Sequence, residues 1–114
     1  MYEIWKNTRP VLGHEIDTWS REIVDCNILE AEAGTNGPQG GDAGHGSRSF
    51  LRITDLSGTC MNVEVARNSL GDTEGIAISL GGDAELRTFI TALRFVLNVF
   101  EEGTRNGSTG RECE

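Results

Sequence analysis

The chain has 114 residues, of which 37% are hydrophobic and 6% aromatic, and its formal net charge is −8. This length suits one domain with a modest core and leaves no room for a second domain of ordinary size. The acidic balance argues against binding to a nucleic acid polymer or to an anionic membrane surface, because both need a basic face.

The cysteines and the apolar segments indicate the cellular compartment in which the protein is expected. Cys26, Cys60 and Cys113 are odd in number and widely spaced, so no disulfide framework is expected. The N-terminal segment lacks the pattern of a signal peptide, and no apolar run reaches the roughly 18 residues of a membrane span. With two histidines in the whole chain, the sequence predicts neither a metal nor another cofactor. We therefore expect a cytoplasmic protein with free thiols.

The first part of the chain carries the weakest signals. Residues 1–23 place Pro10 and Gly13 among polar residues, which indicates a short strand or turn followed by a helical turn. Residues 23–33, IVDCNILEAEA, alternate apolar and polar side chains and predict a strand.

Further along, the sequence predicts three more strands. The segments SFLRITDL (49–56) and CMNVEVAR (60–67) both alternate, and the connection Ser-Gly-Thr between them predicts a hairpin. After a second loop, IAISL (76–80) predicts a third short strand. These strands are expected to form an antiparallel meander.

The clearest element is a C-terminal helix, which Asp83 is suited to cap and Gly103 is expected to close. A wide apolar stripe is expected to cover one face of the sheet, and it consists of Leu86, Phe89, Ile90, Leu93, Val96, Leu97 and Phe100. A narrower stripe is expected to face water and to mediate a homo-oligomer, a dimer or larger, and it consists of Ala92, Phe95 and Val99.

The predicted fold class is therefore α+β, with an antiparallel β-sheet meander packed against one C-terminal amphipathic helix. A single ligand-binding domain is expected over residues 1–102, and a disordered polar tail over 103–114.

The segment AGTNGPQGGDAGHGSRSF, residues 33–50, is the main candidate for a site, since it holds six of the fifteen glycines. Such a mixture of turn residues is also what a plain surface connection is made of. Its length exceeds most connections in a compact domain, and loops of that size are usually functional or disordered. Backbone N–H groups in glycine-permitted turns can converge on an anion. The segment therefore predicts a nucleotide-like ligand.

Each candidate side chain has a chemical role in that prediction. Arg48 would pair with phosphate through its planar guanidinium, and His45 and Phe50 would cover a base or ribose. Gly44 and Gly46 would let the backbone approach the ligand closely. The remaining polar candidates are Thr35, Asn36, Gln39, Asp42, Ser47, Asn62 and Arg87.

Known phosphate loops do not match this segment. No Gly-Lys-Ser or Gly-Lys-Thr follows, as in a P-loop, and the glycines do not open a helix, as in the dinucleotide-binding fingerprint. Two other functions stay open at this point. Asp42 and His45 could serve as an acid–base pair in a hydrolase of such a nucleotide, or the loop could be the docking surface of a small protein-interaction module.

The chain resembles the first-described family of phage anti-Thoeris sponges in four successive features. These are a strand ending in LEAEAGT, the segment GPQGGDAGHGSR, the strand SFLRITDL and one apolar C-terminal helix. That family carries a Gly-Gly-Asp-x-Gly-His-Gly-x-Arg segment, which residues 40–48 match around Ala43 and Ser47. The resemblance covers most of residues 23–102.

The resemblance implies a non-enzymatic function. Members of the family bind cyclic ADP-ribose isomers made by TIR-domain proteins of a bacterial defence system. They sequester this signal without cleaving it, so the effector is not activated. They are small oligomers with pockets shared between subunits, and some members also hold cyclic oligonucleotides at further sites.

Overall fold

The computed structural model describes residues 4–107, which form six strands and one helix. The fold class is α+β, as predicted, with antiparallel strands packed against one C-terminal helix. The elements are β1 (Ile4–Val11), β2 (His14–Val24), β3 (Ile28–Thr35), β4 (Ser49–Ser57), β5 (Met61–Arg67), β6 (Thr73–Leu80) and α1 (Asp83–Gly107).

The N-terminal region is a β-hairpin, so the predicted helical turn there is wrong. β1 pairs antiparallel with β2 from Ile4↔Arg21 to Val11↔His14. The two turn residues, Leu12 and Gly13, both have positive φ (49° and 90°), which matches the right-handed twist of the flanking strands. The strand pattern was hard to recognise because Thr18 and Ser20 of β2, on the sheet face opposite α1, are polar but buried.

The strand predicted over residues 23–33 is interrupted by a turn. β2 ends at Val24 and β3 begins at Ile28, so the predicted strand joins the end of one strand to the start of the next. The turn residue Asn27 is buried, and its side chain donates hydrogen bonds to the hydroxyls of Thr59 (2.8 Å) and Thr88 (2.9 Å). Apolar and polar residues alternate straight through this turn, with the buried Asn27 in one of the polar positions. The alternation therefore gives no sign of the turn.

The strands form two separate sheets. One sheet has four strands in the order β1-β2-β3-β4, and the other is the two-stranded pair β5–β6. The predicted hairpin between β4 and β5 is therefore wrong, although both strands exist as predicted. Residues 58–60 instead carry the chain from the large sheet to the start of α1, where the β5–β6 hairpin projects.

Helix α1 packs on the large sheet through its narrower apolar stripe together with Phe89, Val96 and Phe100 of the wider stripe. Ala92, Phe95 and Val96 are buried against Ala31 and Ala33 of β3. The expectation that Ala92, Phe95 and Val99 face water is wrong, because the small side chains of β3 leave room for the Phe95 ring. In consequence much of the wider stripe is exposed, and its exposed members are Leu86, Ile90, Leu93 and Leu97.

Gly103 lies inside the helix and does not close it. A Cβ at this position would lie 2.4 Å from the Cγ2 atom of Thr35, so glycine lets the helix approach β3 closely. The helix continues to Gly107, which corrects the expected tail at residues 103–107, and residues 108–114 lie outside the described residues. Within the described chain, no helix is long and apolar enough to span a membrane.

Candidate functional site

Residues 36–48, here called the glycine loop, form a folded unit that is closed at its neck. The Arg48 N–H donates to Oδ1 of Asn36 at 2.7 Å, and the Asn36 N–H donates to the Arg48 carbonyl at 3.1 Å. Next to the neck, the hydroxyls of Thr35 and Ser49 lie 2.8 Å apart. These contacts join the ends of β3 and β4 and give the loop a defined shape.

The side chain of Arg48 organises this loop from inside. It is 5% exposed, and its guanidinium donates to the carbonyls of Gly44 (3.1 Å), Gly46 (3.2 Å), Ser47 (3.2 Å) and Leu12 (3.3 Å). A pairing with phosphate would require some of these four bonds to break. The sequence predicted a phosphate contact for Arg48, whereas the observed contacts are with the protein's own carbonyls.

Asp42 and His45 lie on the surface of the loop, with side chains 80% and 87% exposed. Oδ1 of Asp42 accepts hydrogen bonds from the N–H of Gly44 at 2.9 Å and from the N–H of His45 at 3.2 Å. His45 Nδ1 lies 3.2 Å from the same oxygen. These bonds lower the pKa of Asp42, the Gly44 N–H having the largest effect. The pair thus completes a turn, and its exposure does not favour acid–base catalysis.

The two glycines singled out in the loop differ in their surroundings. A Cβ at Gly46 would lie 2.5 Å from the Gly41 carbonyl oxygen and 2.7 Å from that of Asp42. A Cβ at Gly44 would meet nothing nearer than Asp42 Oδ1 at 3.5 Å. Gly46 is therefore required by packing inside the loop. Gln39 is also used internally, since its Nε2 donates to the Asn36 and Gly37 carbonyls.

Three predicted site residues lie away from the glycine loop. Phe50 is on the sheet face opposite α1, where the Arg9 guanidinium lies 5.4 Å from its ring centroid. Asn62 is on β5 in the separate hairpin. Arg87 donates to Oδ2 of Asp25 at 3.0 Å, and this bond lowers the pKa of Asp25. The predicted set is therefore not gathered around one ligand position.

A cavity of about 790 Å³ lies between α1 and the large sheet, and we call it the helix–sheet cavity. Ligand sites for small molecules are commonly clefts of about 300–1,000 Å³. Its sheet side is lined by Ile4, Trp19, Arg21, Thr35 and Asn36. Its helix side is lined by Thr91, Arg94, Phe95, Asn98, Val99, Glu102 and Gly103. Thr35 and Asn36 are the predicted site residues that this cavity includes.

The lining concentrates positive charge on a chain whose net charge is −8. Arg21 and Arg94 both belong to it, and Arg94 makes no hydrogen bond or ion pair with another described residue. The carboxylate of Glu102 accepts a 2.5 Å hydrogen bond from Arg105, so its charge is balanced outside the lining. Trp19, which is 37% exposed, adds a flat aromatic surface. Guanidinium and aromatic groups together suit a ligand that carries both phosphate and a ring.

The opposite face of the sheet carries an ion pair that stabilises the strands. Arg9 donates to both oxygens of Glu32, from Nε at 2.7 Å and from Nη2 at 2.6 Å. Thr18 donates to Oε2 of the same carboxylate at 2.6 Å. The Arg9 hydrogen bond is the main reason that the pKa of Glu32 lies below its usual value, and the Thr18 hydroxyl adds to it. Because every donor points at a protein acceptor, this cluster is structural.

Sequence reasoning missed most of the cavity. Trp19 and Arg21 fell in a region with weak strand signals, and Arg94 was not among the predicted site residues. For the helix side of the cavity, the signal is the spacing of Thr91, Arg94 and Asn98, which places three polar groups on one side of the helix. Within residues 4–107, no three histidine, cysteine, aspartate or glutamate side chains are grouped as metal ligands would be.

Comparison of the chain with models of protein families, with curated proteins and with solved structures finds no match. A proposal about function therefore depends on the chemistry of the cavity and of the glycine loop.

Proposed function

We propose that this protein binds a cyclic nucleotide second messenger, a cyclic ADP-ribose isomer, in the helix–sheet cavity and holds it without cleaving it. Removal of the signal would suppress bacterial anti-phage signalling. The observation that carries the proposal is the joint presence of Trp19, Arg21 and Arg94 in one cavity of an acidic chain. The resemblance of residues 40–48 to the sponge segment gives a second, independent support.

The cavity supplies a partner for each part of such a ligand. A guanidinium forms two parallel hydrogen bonds with a phosphate, so Arg94 and Arg21 are the expected pyrophosphate contacts. Trp19 offers a surface on which a purine can stack. The amides of Asn36 and Asn98 can donate to, and accept from, ribose hydroxyls. In this proposal the glycine loop contributes Asn36 and orders the edge of the cavity, while Arg48 keeps the loop in shape.

Sequestration is favoured over hydrolysis by the lining itself. Nucleophilic or acid–base catalysis needs a positioned hydroxyl, thiol, amine, imidazole or carboxylate. The two hydroxyls of the lining belong to Thr35 and Thr91, and they are hydrogen-bonded to the Ser49 hydroxyl and to the Arg87 carbonyl. The residues that line the cavity include no serine, cysteine or histidine, and their single carboxylate, Glu102, is bound to Arg105. The Asp42 and His45 pair is not part of the lining. Since the proposed signal is made inside bacterial cells, we place the protein in the cytoplasm of the phage host.

Tryptophan fluorescence can test binding directly. The chain has two tryptophans, and Trp5 is not part of the cavity lining. In a Trp5→Phe variant, titration with cyclic ADP-ribose isomers should quench or shift the emission of Trp19 in a saturable way. Linear ADP-ribose and AMP serve as matched ligands that lack the ring closure. No saturable change with any of these nucleotides would contradict the proposed site.

The fate of the ligand separates a sponge from an enzyme. Protein and ligand are incubated together, the protein is denatured by heat, and the released nucleotide is identified by chromatography. A sponge returns the ligand unchanged and in the amount that was bound. A product that accumulates beyond one equivalent per chain would instead establish a hydrolase.

A further inference from the structure

The β5–β6 hairpin exposes an apolar face that no other described element covers. Opposed residues of an antiparallel pair lie on the same face, and the pairs Val63↔Ile78 and Val65↔Ile76 are both aliphatic. These four side chains are 42–66% exposed. A two-stranded hairpin without further packing is at best marginally stable in water, so this one needs a partner.

A second uncovered apolar surface runs along α1, and we call it the outer stripe. It consists of Leu86, Ile90, Leu93 and Leu97, which are 39–54% exposed. Their spacing of four, three and four residues keeps them on one side of the helix, as in the seam of a coiled coil. The side of α1 that packs on the sheet is a different one. The chain thus presents one apolar strand face and one apolar helix face, each open.

Hydrogen bonds hold the base of the hairpin, whose strands make no extensive contact with α1. At its base the side chain of Asn27 donates to both Thr59 and Thr88, and the Thr59 N–H donates to Oδ1 of Asp55 at 3.2 Å. The Cys60 N–H donates to Oε2 of Glu85 in the first turn of α1 at 3.3 Å. Folding the hairpin back along its own outer stripe would break these bonds.

We propose that the occupant of each open face is a second copy of this chain, with the β5–β6 hairpin of one copy packed on the outer stripe of the other. The arrangement is reciprocal, so a two-fold dimer covers both faces of both chains. Eight aliphatic side chains that are each about half exposed form a surface of the kind that a stable interface, at roughly 800 Å² per partner, buries. A lone monomer usually exposes single, scattered apolar residues, not two clusters of four.

Charge distribution agrees with this pairing. The tip of the hairpin carries Asp72 and Glu74, and Arg94 lies beside the outer stripe with no described partner. Opposite charges at the rim of an interface favour one register over others. The inference replaces the narrower stripe, which is buried, as the expected surface of the homo-oligomer, and it holds whether or not the helix–sheet cavity takes a nucleotide.

The first test is the mass of the chain in solution, measured by light scattering after size exclusion. The wild type should be a dimer, twice 12.4 kDa. Ile78→Asp and Leu97→Asp should each weaken the dimer by about 100-fold, because each puts a charge in an apolar contact. The neighbours Ala77→Asp and Asn98→Asp add the same charge beside these positions and should leave the dimer intact. Circular dichroism checks that each variant is folded.

The second test identifies which surfaces meet. In a background with Cys26→Ser, Cys60→Ser and Cys113→Ser, one variant receives Val65→Cys on the hairpin and another Leu93→Cys on the helix. The two are mixed, allowed to exchange subunits and treated with a short bismaleimide. A cross-linked dimer should form in the mixture but not with either variant alone.

Three results would overturn the inference. A monomeric wild type at all concentrations removes the second copy. Cross-linking of Leu93→Cys with itself means that the helices pair directly and the hairpin is free. In a further variant that carries both Val65→Cys and Leu93→Cys, cross-linking only within the single chain means that the hairpin closes over its own helix.

Discussion

The Nε–H of Arg48 donates a 3.3 Å hydrogen bond to the carbonyl of Leu12, so one side chain joins the glycine loop to the turn of the first hairpin. Leu12 has a φ of 49°, a conformation that costs energy for a residue with a side chain. The bond from Arg48 helps to hold it. The two segments are 36 residues apart in the chain, and their contact orders one end of the large sheet.

Arg48→Ala is expected to destabilise the protein, and loss of ligand binding would follow from loss of the loop. The substitution leaves the carbonyls of Gly44 and Gly46 without their donor, at a cost of about 2–4 kcal/mol in the free energy of unfolding. Urea denaturation measures it. Arg52→Ala is the matched control, because Arg52 is exposed and donates from Nε to the hydroxyl of Thr54. Equal stability of the two variants would show that Arg48 does not hold the loop.

Gly46→Ala and Gly44→Ala form a matched pair within the same loop. The new Cβ at position 46 would overlap the carbonyl oxygens of Gly41 and Asp42, which should lower stability by about 1–3 kcal/mol. At position 44 it would meet one side-chain oxygen at ordinary contact distance, so the effect should be within about 0.5 kcal/mol. Thermal melting of both variants decides the point. If position 46 tolerates alanine as well as position 44 does, the loop is packed less tightly around Gly46 than these distances indicate.

Acid should weaken the fold through Glu32. Its pKa in the folded protein lies below the ordinary value of 4.5, chiefly because Arg9 donates to it. The ionised carboxylate therefore contributes stability above pH 4.5, and this contribution is lost as the pH falls through the folded-state pKa. In urea denaturation at pH 7 and at pH 3, the wild type should lose more stability on acidification than Glu32→Gln.

Glu30→Gln is the control for that measurement. Glu30 lies two residues earlier on β3 and makes no hydrogen bond or ion pair with another described residue, so its variant should keep the wild-type loss of stability between pH 7 and pH 3. If Glu30→Gln and Glu32→Gln flatten the pH dependence alike, the Arg9–Glu32 pair does not explain the acid sensitivity.

Arg94→Ala should weaken nucleotide binding by about tenfold, equivalent to 1.4 kcal/mol, because a phosphate contact is lost from the helix–sheet cavity. Stability should change little, since Arg94 is exposed and has no described partner. Isothermal titration with a cyclic ADP-ribose isomer measures the affinity. Arg87→Ala is the comparison: Arg87 lies two turns earlier on the same side of α1 and pairs with Asp25. A loss of affinity confined to Arg87→Ala would move the site to the start of the helix.

Strand and helix positions in residues 49–107 could be predicted because their patterns are local. Alternation over β4 and β5 and the start of α1 at Asp83 depend on neighbours within a few residues. The first hairpin and the turn after it could not be predicted, because Thr18 and Ser20 of β2 and Asn27 of the turn are buried polar residues whose partners lie elsewhere in the chain. The candidate site was found in part: Thr35 and Asn36 line the cavity, whereas Trp19, Arg21 and Arg94 come from segments that the sequence does not connect.

By itself, the sequence determined the α+β class, the position and length of the glycine loop, and a helix with apolar residues on more than one side. The tertiary structure decided which side of that helix is buried. Helical periodicity is the same for both stripes, so the choice depended on Ala31 and Ala33, whose small side chains admit Phe95 and Ala92. That choice opens the helix–sheet cavity on one side of α1 and leaves Leu86, Ile90, Leu93 and Leu97 uncovered on another.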